Sequence, residues 1–101
     1  MDYDKLIRDK IPSIIKKDGR TPKIHTAKRG EYRIKLNQKL LEEVREFGKS
    51  GEIYELADIL EVVYALAEAE HVTAARLEAL RKKRAAERGA FKKRIILDKV
   101  L

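Results

Sequence analysis

Seven carboxylates fall between positions 42 and 61, in EEVREFGKSGEIYELADILE, although the 101-residue chain carries a formal net charge of +7. Glu42 and Glu46 are four apart and Glu43 and Glu46 three apart, a spacing that stacks them on one flank of a helix. Glu55 and Asp58, also three apart, share a face of the next helix. Two like charges about 4 Å apart repel by roughly 1 kcal/mol in water and about 4 kcal/mol at an effective dielectric of 20. Carboxylates gathered this way require a counter-charge. The donors are all oxygen, with no His or Cys among them, which points to Mg²⁺, with Mn²⁺ as the substitute, rather than Zn²⁺. His25 and His71 lie outside the cluster and read as loop or helix-end residues, and Tyr54 and Tyr64 as core or interface residues.

The helices that must hold these groups follow from punctuation and periodicity. Asp9 is expected to cap a short first helix with Pro12 in its opening turn, closed by Gly19 after Lys16 and Lys17. A second helix runs from Glu31 to Phe47, with Gly48 ending it. Its apolar arc passes through Leu36, Leu40, Val44 and Phe47, with the glutamates expected opposite, beside Lys35 and Lys39. Ser50 is expected to cap a third helix reaching Ala69, and Thr73 a fourth reaching Arg88, with Gly89 just beyond it. Because only Gly48 to Gly51 separates helices two and three, they must run antiparallel, which sets their acids side by side. Residues 23–26 and 92–97 read as a short antiparallel β pair. The expected class is therefore all-α, a helical bundle around an antiparallel pair, as a single domain over residues 1–101.

Helix three differs from its neighbours, because Ile53, Leu56, Ile59, Leu60, Val62, Val63 and Leu66 surround most of its circumference. Such a helix is expected to be buried. Glu55 and Asp58 sit among Val62, Ala65 and Leu66 on its projection, and a buried carboxylate costs many kcal/mol unless it is paired or metal-bound. The nearest cations in sequence are Arg45 and Lys39.

Charge is distributed in blocks. Residues 1–35 carry 11 basic and 5 acidic side chains, residues 36–70 carry 3 and 9, and residues 71–101 carry 10 and 3. An acidic centre between basic flanks suits a polyanion held through metal ions, with Lys and Arg meeting the phosphates. The absence of cysteine excludes disulfides, thiolate metal sites and cysteine nucleophiles. No stretch approaches membrane-spanning length, and MDYDKLIRDK lacks an apolar leader core, so a soluble, cytoplasmic protein is expected.

EEVRE at 42–46 followed by ELAD at 55–58 resembles the E-E-x-x-E … E-x-x-D signature of the all-α nucleoside triphosphate pyrophosphatases, the MazG-like and phosphoribosyl-ATP pyrophosphohydrolase-like superfamily. YDKLIRDKIPSIIKKDG, ELADILEVVYALA and RKKRAAERGAFKKRI look like its small stand-alone house-cleaning branch, so the likeness covers nearly the whole chain. Only eight residues separate Glu46 from Glu55, a shorter connection than in many members. The resemblance implies hydrolysis of a nucleoside triphosphate to monophosphate and pyrophosphate, with Glu42, Glu43, Glu46, Glu55 and Asp58 as Mg²⁺ ligands. It also implies Glu43 or Glu46 as the base that takes the water's proton, and a homo-dimer or larger assembly. Lys83 and Arg88 lie where relatives supply phosphate-binding residues, although Glu87 stands where a neutral amide is expected. Arg8 and Lys10 are the next candidates for that role.

Two other readings compete. A pI near 9.7 and the runs RKKR and FKKR suit a nucleic-acid-binding or regulatory helical module without catalysis. Against it, no known binding motif is present, and the acidic centre would repel phosphate in the absence of metal. The third reading is a helical dimerisation domain whose apolar helix three is the interface, which is compatible with the enzyme.

Overall fold

A computed structural model describes residues 3–101. The fold is all-α: α1 (Ile11–Lys17), α2 (Arg29–Ser50), α3 (Ile53–Ala69) and α4 (Ala74–Arg88). Helix packing joins α2 to α3 and, less extensively, α3 to α4. Among the described residues no helix is long and apolar enough to cross a membrane.

The helix ends show which punctuation acts. Gly48 does not end α2, which continues to Ser50. A glycine within a helix costs only about 1 kcal/mol, whereas termination here uses the left-handed conformation that Gly51 adopts at φ 66°. The Gly51 N–H donates to the Phe47 carbonyl at 2.8 Å. Ser50 is therefore still helical and does not cap α3, where Glu52 holds the N-cap position. Its hydroxyl instead accepts from the Glu52 N–H at 3.2 Å, bracing the turn. Asp9 likewise fails to cap α1, whose N-cap position is Lys10. The two amides an N-cap Asp9 would serve are unavailable, since Ile11 N–H donates to the Arg8 carbonyl at 3.0 Å and Pro12 has none. Thr73 behaves as expected, accepting from the Arg76 N–H at 3.1 Å at the start of α4. Gly89 ends that helix at φ 88°, ψ 170°, a region open essentially to glycine alone.

The expected β pair does not form: among the described residues there is no strand, and 23–26 and 92–97 are irregular. An isolated two-stranded pair is marginal in water without an apolar face to cover, and Ile24, Ile95, Ile96 and Leu97 are all exposed. His25 belongs to the loop entering α2, where its Nε2 lies 2.9 Å from Glu31.

The expectation of a buried α3 is also corrected. Within one chain only Val62 of this helix is buried, and Ile53, Tyr54, Leu56 and Leu60 are exposed. Among the described residues α2 covers one side of α3 and α4 part of another, which leaves the rest of its circumference open. The radius of gyration, 17.7 Å, exceeds the roughly 13 Å of a compact domain of this length. The apolar centre between α2 and α3 consists of Leu36 and Val62, supported by half-buried Leu40, Phe47 and Leu66. Complete burial of a leucine such as Leu36 stabilises by about 1.5–3 kcal/mol.

Candidate metal centre

The seam between α2 and α3 has an apolar half and an acidic half. On α2 the inward residues are Leu36, Leu40, Glu43 and Phe47, at spacings of four, three and four. On α3 they are Glu55, Asp58, Val62 and Leu66, at three, four and four. The antiparallel pairing sets Leu36 and Leu40 near Val62 and Leu66, and Glu43 near Glu55 and Asp58, towards the turn end.

Glu43 is the departure from expectation. It does not lie opposite the apolar arc but in it, and it is only 6% exposed. Seven residues at about 100° each stop roughly 20° short of two turns, so Leu36 and Glu43 share one line along the helix. Val44, assigned to the inner arc, is exposed instead.

Glu43, Glu55 and Asp58 each offer a carboxylate oxygen, and these three atoms lie within 4.8 Å of one another. Lys39, one turn before Glu43 on α2, sits 3.4 Å from Glu43 Oε1. The other oxygen, Glu43 Oε2, is buried without a hydrogen-bond partner. A buried carboxylate oxygen left unpaired is costly, and an oxygen-seeking cation would satisfy it. The donor set thus fits a small divalent metal: three carboxylates from two rigid helices, with half-buried Glu55 and Asp58 leaving an open side.

The remaining predicted residues are distributed around this triad. Glu42 is turned about 100° from Glu43 and engages cations rather than the cluster. Lys5 Nζ lies 3.1 Å from its Oε1 and Lys39 Nζ 3.5 Å from its Oε2. Glu46 is exposed, outside the three-oxygen cluster but close enough for its charge to act on Glu43. Arg8 Nη2 donates to Asp58 Oδ1 at 2.6 Å, which brings one predicted phosphate ligand directly to the acidic site. Lys10, Lys83 and Arg88 are exposed, and among the described residues they form no ion pair. α4, which carries Lys83 and Arg88, packs on α3 alone. Arg45 is exposed and takes no part.

Lys5 was not legible as a site residue, because it is 37 positions from its partner Glu42. Lys39 was, since it stands i,i+3 to Glu42 and i,i+4 to Glu43.

The electrostatics separate two adjacent glutamates. Burial pushes the Glu43 carboxyl above its usual range, and the neighbouring Glu46 charge adds to the rise, outweighing Lys39. For Glu42, partial burial pulls upward, but the Lys5 hydrogen bond and the charges of Lys39 and Lys5 bring it below the usual range. Glu42 is a carboxylate saturated by lysines, and Glu43 is one short of cation.

The chain matches no protein-family model and no solved structure. An uncharacterized protein of Mycolicibacterium smegmatis (strain ATCC 700084 / mc(2)155) is 51% identical to it over 41 residues. That match covers 41% of this chain and 42% of the relative, so the chain spans less than half of the curated protein it resembles.

Proposed function

We propose that the chain is a Mg²⁺-dependent nucleoside triphosphate pyrophosphohydrolase of the MazG-like kind, a single domain that clears non-standard nucleotides in the cytoplasm. The observation that carries this reading is Glu43 Oε2, buried and unpaired beside Glu55 and Asp58. The E-E-x-x-E … E-x-x-D pattern supports it, because its second glutamate, Glu43, and both acids of its E-x-x-D half, Glu55 and Asp58, fall on that seam.

Bound at the three carboxylates, Mg²⁺ or Mn²⁺ would neutralise phosphate oxygens and orient the triphosphate for attack at the α-phosphorus. The chain's own part is electrostatic and positional. Glu43, Glu55 and Asp58 hold the ligand oxygens on two helices, and Lys39 limits repulsion from below. The water's oxygen forms the new bond to the α-phosphorus as the bond to the bridging oxygen breaks, and pyrophosphate leaves. The water's proton passes to one of the glutamates, Glu43 or exposed Glu46. Arg8 is the nearest basic group for the phosphates, with Lys10, Lys83 and Arg88 as further candidates. The test is pyrophosphate release from a panel of standard and modified nucleoside triphosphates with Mg²⁺ or Mn²⁺. Release from at least one is expected; folded protein that releases none rejects the assignment.

A second copy of the chain is the partner that best suits α3. Ile53, Leu56, Leu60 and Tyr64 form an exposed stripe at spacings of three, four and four. Continuous apolar faces of this kind mark association surfaces. Light scattering after size exclusion is expected to give at least twice the 11.7 kDa chain mass. Leu60→Glu should shift the population to monomer, and a monomeric parent protein would remove this part of the reading.

A further inference from the structure

Residues 4–8 precede the first helix and lie across the acidic seam, tied down by three ionic contacts. Lys35 Nζ sits 3.3 Å from Asp4 Oδ2 and donates to the Asp4 carbonyl at 2.8 Å. Lys5 meets Glu42 at 3.1 Å, and Arg8 meets Asp58 at 2.6 Å. Between them Leu6 and Ile7 are half-buried. Each tether reaches α2 or α3, so the segment forms a strap over the helix pair.

Asp58 Oδ1 is the oxygen on which the Arg8 contact falls, and Asp58 is one of the three groups that converge with Glu43. A guanidinium hydrogen-bonded there supplies one positive charge to a cluster that asks for more, and it leaves Glu43 Oε2 unpaired. We propose that Arg8 is an exchangeable counter-ion of the carboxylate site: a divalent cation displaces its guanidinium from Asp58, which loosens the Arg8 end of the strap and presents Arg8 to the anionic ligand. This inference rests on the metal-centre reading above. The exchange is feasible because the pair is exposed, with side-chain accessibilities of 57% for Arg8 and 38% for Asp58, and such surface pairs contribute little. Once released, a planar guanidinium is well suited to grip phosphate through two parallel hydrogen bonds. Metal arrival and anion capture would then be coupled through one side chain.

The experiment titrates Mn²⁺ into wild-type, Arg8→Gln, Lys5→Gln and Asp58→Asn protein, following free Mn²⁺ by electron paramagnetic resonance. Thermolysin cleavage at the half-buried Leu6 and Ile7 is measured in the same samples. Wild-type protein is expected to bind Mn²⁺ with faster cleavage there. Arg8→Gln should bind Mn²⁺ more tightly, by up to about fivefold, with cleavage already fast and indifferent to metal. Lys5→Gln removes the same charge from the same strap but not from Asp58, so its gain should be smaller. Equal gains in both variants would mean a general field effect and would overturn the proposal. So would an Arg8→Gln affinity at or below that of wild type, with the metal centre itself still standing. Wild type and Arg8→Gln both failing to bind Mn²⁺ would instead remove the metal centre, and the strap mechanism with it.

Discussion

Asp58→Asn is expected to cut pyrophosphate release at saturating Mg²⁺ by at least about 100-fold while leaving the helical circular dichroism intact. Removing a partner that merely orients a metal ligand already costs 10–100-fold, so loss of a ligand should reach or exceed the upper end. Glu55→Gln should behave alike, because both residues stand half-buried on α3 and offer oxygens within 4.8 Å of each other and of Glu43. The substitutions are close to isosteric and relieve like-charge repulsion, so neither should unfold the chain. Steady-state pyrophosphate release and far-ultraviolet dichroism on the same samples check this. A variant that loses its helical signal would assign these carboxylates a structural role, and one that retains full turnover would remove them from the site.

Glu43→Gln should lose activity to a comparable extent yet raise stability, and the gain should depend on pH in a defined direction. A carboxyl whose folded proton affinity is raised above the ordinary value of 4.5 stabilises the fold most in acid and loses that contribution as pH rises through its folded value. At pH 7 the wild-type protein therefore bears the cost of a buried charge that glutamine does not have. The expected gain at pH 7 is about 1 kcal/mol, equivalent to a melting-temperature rise of roughly 4–8 °C for a domain of this size. It should vanish below pH 4.5, where the wild-type residue is protonated in both states. Glu42→Gln should do the opposite. Its depressed carboxyl contributes stability above 4.5 that is lost as pH falls through the folded value, so the variant should be less stable at neutral pH and converge with wild type in acid. Adding Mg²⁺ should close or invert the Glu43→Gln difference, since a ligand at 100 times its dissociation constant stabilises the wild-type fold by about 2.7 kcal/mol. Thermal melts at several pH values, with and without Mg²⁺, read all of these outcomes. A Glu43→Gln protein less stable than wild type at pH 7 would mean that the Lys39 contact dominates.

Much of this arrangement is legible in the chain alone, and the departures from it have physical causes. Thr73 and Gly89 delimit α4 because capping is a local exchange of hydrogen bonds and a local backbone conformation, both written in adjacent residues. Gly48 misled because glycine has two roles, tolerated within a helix and favoured at its end, and only the path of the following chain chooses between them. Asp9 misled for a similar reason: its acceptor was suitable, but the donors it needed were already used or missing. Residues 23–26 and 92–97 are β-compatible, but a strand also needs a partner surface, and among the described residues Ile24, Ile95, Ile96 and Leu97 find none.

The candidate site divides along the same line. Spacing alone determined that acidic residues on two antiparallel helices would meet near the turn, because 100° per residue and a short connection leave little freedom. The seven-residue interval from Leu36 to Glu43 is itself enough to place a glutamate in the apolar seam, against the arc expected through Val44. Only the tertiary structure decided which of the five acids converge, that Glu43 Oε2 is left unpaired, and that Lys5 and Arg8 reach across to Glu42 and Asp58. Those contacts join residues 37 and 50 positions apart. Local periodicity carries no information over such distances; the docking of the strap on the helix pair does.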